Sequence, residues 1–310
     1  MITAVGTATL DIILKTKEKE IKEGSKIEIE DFDFSLGGGA LNASVTFKKL
    51  GLNPQVYFHL GRDFLGEIIK QKVKKLNLKH YIFYHQQATT FSLIVLPKDR
   101  ERIIFVHRGR ESDFKLAELR KIKINPYIYL TPGSTSPVVL LRFFKEIRNK
   151  IKYLAINPSK IYLQQKLAFD SLKYVDFLFL NDEELRILKN DFKQNLIALA
   201  KKTLEELKIK SLIVTLGDRG SLAIFENKIF KAGIFKPRKI VDKTGAGDAF
   251  ASAFFGRIVL GKELTENLIK EALTWGAANS ASVIQKLGAQ NGILNKVDYR
   301  KFKKLKIILL

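Results

Sequence analysis

The chain of 310 residues carries 54 Lys and Arg against 32 Asp and Glu, a formal net charge of +22, with 46% hydrophobic residues and no cysteine. That length and apolar share fill one large α/β domain or two small ones, while the missing cysteines exclude disulfides and thiolate zinc sites, and no apolar run approaches a bilayer span. The charge would attract nucleic acid or anionic membranes, but its lysines are spread over most polar faces without interleaved aromatics, so neither a specific nucleic acid nor a membrane is expected as a partner.

In chain order, Ile2 to Ala8 reads as a buried strand, followed by alternating patterns around Asp11 to Lys15 and Lys26 to Phe34. Gly37-Gly38-Gly39 opens a helix over Ala40 to Leu50. Strand Val56 to Leu60 and helix Phe64 to Leu76 come next. Phe91 to Leu96 and Arg102 to His107 alternate again with no helix between them. Strand Tyr127 to Thr131, helix Pro137 to Lys150 and the apolar strands Tyr153 to Asn157, Phe177 to Leu180 and Leu212 to Leu216 follow, each of the three with a helical pattern after it. Such repetition predicts an α/β fold with a mainly parallel central sheet covered on both faces. The segments from about 12 to 35 and 81 to 107 are expected to form a small antiparallel sheet, a lid over the carboxyl ends of the parallel strands, within one catalytic domain over 1–310. Met1 to Leu14 lacks a signal-peptide pattern, so a cytoplasmic location is expected.

The chemistry concentrates in Asp242-Lys243-Thr244-Gly245-Ala246-Gly247-Asp248-Ala249-Phe250, a glycine turn feeding a helix. Free amides at a helix start bind anions, and a carboxylate there is a poor anion binder but a useful proton acceptor. Asp248 is also a favoured cap residue, so the motif alone leaves both readings open. Gly37 to Gly39 with Asn42 places small residues and one amide where a polar ligand can touch backbone, and Asp11 offers an acceptor for sugar hydroxyls. Asn181-Asp182-Glu183-Glu184 ends a strand and can organise hydrated Mg²⁺ through Asn181 and Glu184, or simply cap a helix. Thr215-Leu216-Gly217-Asp218-Arg219-Gly220 is either a hairpin or a phosphate loop.

Taken in order, Asp11, the early glycines with Asn42, the Gly61 to Gly66 turn, Asn181 with Glu184, Thr215 to Gly220 and the late Gly-Ala-Gly-Asp resemble the ribokinase, or PfkB-type carbohydrate kinase, family over essentially the whole chain. The resemblance implies a ribokinase-like three-layer α/β/α fold and an ATP-dependent kinase using Mg²⁺. Asp248 would be the base, with Gly245, Ala246 and Gly247 holding the moving phosphoryl group. Asp11, Gly38, Gly39, Asn42 and Arg108 would meet the substrate, and for a hexose derivative Arg108 or Arg110 would reach its acidic group. Asn181, Thr215, Gly217, Gly220, Asn279, Ser282 and Val283 would meet the nucleotide, and Asp242 would hold a monovalent cation such as K⁺. Compared with ribokinases proper, Thr9 stands for an asparagine, Gly39 for a lysine, and the Leu130 to Gly133 strand end carries no acid. A nucleoside or a hexose derivative is therefore weighed beside a simple sugar. A non-catalytic sugar sensor and a basic nucleic-acid binder stand as more distant alternatives, and a homodimer through the lid strands is expected.

Overall fold

The computed structural model describes residues 1–98, 102–109, 113–302 and 305–310. Apolar runs rich in Ile, Val and Phe form a sheet because they bury on both faces. In β1 (Ile2–Gly6) every residue is buried, and β4 (Pro54–Gly61) repeats that pattern. A ten-stranded sheet results. Its parallel part takes β5 (Lys79–His85), β4, β1, β8 (Tyr127–Thr131), β9 (Tyr153–Ile156), β10 (Phe177–Asn181) and β11 (Ser211–Thr215) in that spatial order. Three antiparallel strands, β12 (Ser221–Phe225), β13 (Lys228–Ala232) and β14 (Ile307–Leu309), extend the edge beyond β11.

Side chains alternate between two cores. Phe177 and Phe179 of β10 join one cluster and Leu178 and Leu180 the other. The first core holds α1 (Gly39–Lys49), α2 (Phe64–Lys75), α9 (Ala246–Leu260) and α10 (Glu266–Val283) against the sheet. The second lies under α3 (Leu116–Leu119), α4 (Pro137–Ile147), α5 (Lys160–Leu163), α6 (Ala168–Leu172), α7 (Asp182–Lys189) and α8 (Leu196–Leu207). These are the three layers expected from the sequence. No helix among the described residues is long and apolar enough to cross a membrane.

The lid is a second sheet of β3 (Ile29–Gly37), β2 (Thr9–Thr16), β6 (Phe91–Leu96) and β7 (Ile103–His107), in that order. Its outer pairs are antiparallel, while β2 and β6 run parallel. Two expectations are corrected. Residues from 81 do not open the lid, because Lys79–His85 pairs along its whole length with β4 in the main sheet. Strand β11 is followed by a hairpin to β12 rather than a helix, since Gly217 and Gly220 turn the chain at once.

Strand β1 has β4 on one side and β8 on the other, so the chain order reverses there. A crevice opens outside the carboxyl ends of strands at such a point.

Candidate active site

Five adjacent parallel strands each deliver a polar residue to that crevice. Thr7 follows β1, Thr131 ends β8, Asn157 follows β9, Asn181 ends β10 and Thr215 ends β11, and all five line a cavity of about 350 Å³. Gly39, Arg108, Glu184, Lys243, Gly245, Ala246, Gly247 and Asp248 line it too. A second cavity of about 580 Å³ shares Thr215, Lys243, Ala246 and Gly247, and continues over Gly217, Gly220, Ile234, Phe235, Ile240, Phe250 and one face of α10. The two cavities meet at the glycine turn.

That turn is held from below. Helix α9 is apolar on all sides and buried from Ala249 to Gly256, the pattern of a helix inside a core. Phe255 meets Phe47, Tyr129 and Phe177 at centroid distances of 6.4, 6.0 and 5.7 Å. Gly245 caps the helix with φ 74°, and a Cβ there would stand 2.5 Å from that of Ala289. Both the left-handed backbone and the close approach require glycine. The amides of Gly247 and Asp248 are among the first N–H groups of α9, which have no partner within a helix, and Ala246 N makes only a 3.3 Å bond to Lys243 O.

Asp248 is held by two amides. Asn42 Nδ2 donates to one carboxylate oxygen at 2.9 Å and Asn157 Nδ2 to the other at 3.0 Å. Gln290 Nε2 in turn donates to Asn42 Oδ1 at 3.0 Å, which fixes the amide orientation. Burial pushes the Asp248 carboxyl above its ordinary range, and the bonds from Asn42 and Asn157, which favour the charged form, pull against it. Asp11 is buried beside this network. Burial raises its carboxyl, hydrogen bonds from Ser92 and Thr9 oppose the rise, and the charges of Asp242 and Asp248 add to it.

The remaining expected residues divide. Gly38 occupies the N-cap of α1 and Gly39 its first turn. A Cβ on Gly39 would stand 2.7 Å from Thr131 Cγ2, so these two positions fill one space. Asn181 and Glu184 form a capping box, Glu184 N donating to Asn181 Oδ1 and Asn181 N to Glu184 Oε2, both at 2.8 Å. Both still line the cavity. Burial raises the Glu184 carboxyl, while the Asn181 amide and Lys160 lower it and Asp248 raises it.

Three expected nucleotide contacts are corrected. Asn279 is fully buried, with its amide bonded to Ala249 O and its oxygen to Leu294 N. Ser282 donates to Gly292 O and Val283 is fully buried. The face of α10 on the second cavity is Ala277, Ser280, Ala281 and Ile284, a 3.6-residue stripe displaced from the expected one. Asp242 is corrected as a cation ligand. Its carboxylate accepts from Arg102, from Thr244 N at 2.9 Å, Thr244 Oγ1 at 2.7 Å and Gly288 N at 3.0 Å. A cation site needs oxygen acceptors converging, and this carboxylate is surrounded by donors, so K⁺ does not fit. Arg110 lies outside the described residues.

Thr7, Asn157 and Gln290 belong to the site without being expected from the sequence. Asn157-Pro158 directly after an apolar strand was a usable signal for the second. Gln290 had none, being one polar residue in a loop.

The family model for "pfkB family carbohydrate kinase" matches residues 1–296. A ribokinase of Lactococcus lactis subsp. lactis is 30% identical over 322 aligned residues, covering 99% of each chain. A nucleoside kinase of Methanocaldococcus jannaschii is 27% identical over 298 residues, covering 94% of this chain and 93% of that protein. The crystal structure of a nucleoside kinase from the same archaeon superposes with a TM-score of 0.77 at 23% identity, over 97% of this chain and 96% of that one. Arabidopsis thaliana ribokinase complexed with ribose and ATP superposes with a TM-score of 0.79 at 21% identity, over 97% of each chain. With the match reaching across the sheet, the lid and the glycine turn, the chain belongs to the pfkB family of carbohydrate kinases, phosphotransferases that act on an alcohol group.

Proposed function

We propose that this kinase transfers the γ-phosphoryl group of ATP to a primary hydroxyl of a sugar or sugar derivative. The observation that carries the reading is the shared wall of the two cavities, which puts the Ala246–Gly247 turn between a polar chamber containing Asp248 and a more apolar chamber under α10. The purine of ATP suits the apolar chamber, whose walls include Phe235, Ile240, Phe250 and Ile284, with its phosphates toward Thr215, Gly217 and Gly220. The acceptor hydroxyl stands in the polar chamber, gives its proton to an Asp248 oxygen and attacks phosphorus in line as ADP leaves. The amides of Gly245, Ala246 and Gly247 stabilise the charge on the transferred oxygens. Of the residues expected at the substrate, Gly39 and Arg108 line the polar chamber beside the acceptor, while Asp11, Gly38 and Asn42 lie behind that lining, Asn42 through its bond to Asp248.

Mg²⁺ fits the oxygen-only donor set near the phosphates. Glu184 keeps one oxygen outside the capping box, and with Asn181 it would hold the ion through water. A bound Mg²⁺ neutralises phosphate charge. The four-stranded sheet acts as a lid that excludes water from one catalytic domain. A cytoplasmic location belongs to the same reading, supported by the cysteine-free composition.

A nucleoside acceptor is the second reading. It is favoured by Gly39 packing on Thr131, a wall with neither a lysine nor a carboxylate for a free sugar. Further, we propose a homodimer through the lid. Strand register puts Leu14, Phe32, Leu93 and Phe105 on one lid face, with Phe32 63% and Phe105 58% exposed. A second copy presenting the same patch would cover it.

ATP consumption measured against ribose, fructose, 2-keto-3-deoxygluconate, sugar phosphates, adenosine, inosine and cytidine tests the reading. One acceptor should turn over, and Asp248→Asn should lose about 10² to 10⁴ of that rate while keeping its circular dichroism spectrum. Full turnover by the variant would remove Asp248 as the base.

A further inference from the structure

We propose that Arg102, carried on the lid beside β7, is the fixed cation of the glycine turn, so that the turn is ordered by the lid and not by a dissociable monovalent ion. The inference rests on the kinase reading for its effect on turnover, but its geometry stands apart from it.

Arg102 Nη1 donates to Asp242 Oδ1 and, at 2.7 Å, to Thr244 Oγ1. Thr244 itself donates to Asp242 through both its amide and its hydroxyl. One guanidinium nitrogen therefore closes a ring on the two residues that set the direction of Gly245. The other carboxylate oxygen of Asp242 accepts from Gly288 N at 3.0 Å, and the backbone amides of Val241 and Asp242 donate to Ile284 O. The 284–292 loop so held contains Ala289, the residue against which Gly245 packs, and Gln290, which orients Asn42 on Asp248. It also abuts the lid at a second point, because a Cβ on Gly288 would stand 2.5 Å from Ser35 Oγ of β3. Lid, loop and turn meet at Asp242.

Charge supports the assignment. Asp11, Asp242 and Asp248 lie near enough that the latter two push up the carboxyl of the first. A phosphoryl group arriving at the turn adds more negative charge. The Asp242 side chain is 3% exposed, and a carboxylate so buried costs several kcal/mol unless paired. Arg102 pairs it with a positive charge that is tethered to the chain and cannot diffuse away.

The test compares the full-length enzyme with Arg102→Met and Arg102→Lys. Turnover is measured in buffers where choline or K⁺ is the monovalent cation, and hydrogen exchange is followed for peptides covering 242–248 and 284–292 with no acceptor or nucleotide present. Wild-type turnover should change by less than about twofold between the two cations, and Arg102→Met should lose kcat on the order of 10² through misplacement of the turn, more than its KM for ATP rises. Added K⁺ or guanidinium should restore part of that loss, and Arg102→Lys should retain most of the rate. Exchange in both peptides should quicken in Arg102→Met while the buried centre of α9 stays protected. A wild-type enzyme that needs K⁺ for most of its turnover, or unchanged exchange in both peptides of Arg102→Met, would overturn the proposal. Because exchange requires no acceptor, quickened exchange with no kinase activity would leave the latch standing and remove the kinase reading instead.

Discussion

Asn157 contributes one amide to a carboxylate that burial already raises, so its removal has a defined sign. The hydrogen bond favours charged Asp248, and losing it raises the carboxyl further. A base works only when ionised, hence activity is lost as pH falls through the folded-state value. For Asn157→Ala, the acid limb of kcat/KM against pH should move to higher pH, with the alkaline side unchanged in position. A profile superposing on that of the wild type would show that Asn157 does not act on Asp248. At this scale the sequence exposed residues with a local motif around them, such as Asp248 and Asn181. It hid the pairings of Asn157 and Gln290, whose partners lie 91 residues away and 248 residues away in the chain.

The elements carry the turn through packing. Gly245→Ala would force a left-handed residue with a side chain against Ala289, a strain of about 1–3 kcal/mol before any clash is relieved. The expected outcome is a lower thermal midpoint together with loss of kcat on the order of 10². By contrast Gly247→Ala meets nothing within 4 Å, so it should keep the midpoint and alter turnover only. Equal stability losses in the two variants, measured by thermal unfolding, would contradict this account. Helix α10 shows how element-level reading errs. The resemblance implied nucleotide contacts at Asn279, Ser282 and Val283, but the helix's small residues make every face look alike, so contact with α9 decided that Asn279 points inward and Ala281 toward the cavity. The hairpin after β11 was ambiguous for a similar reason, since Thr-x-Gly-x-x-Gly suits both a turn and a phosphate contact, and here it makes the turn at a cavity wall.

At the scale of the molecule, the exposed apolar lid face is the surface on which the proposed homodimer rests. Phe105→Glu should convert a dimer into a monomer in analytical ultracentrifugation with little change in folding, because the residue touches solvent and not the core. A wild-type chain that sediments as a monomer across the micromolar range would remove the dimer. Legible from the sequence alone were the layered α/β fold and the family to which its ordered motifs point. Buried strands alternate with amphipathic helices over local stretches, and a helix start binds anions wherever it lies. The company around the glycine turn came from the folded chain: two asparagines on Asp248, donors around Asp242, and Gly39 packed against Thr131. Each of these depends on distant strands being brought to one sheet edge, and no local pattern encodes which side chains meet there.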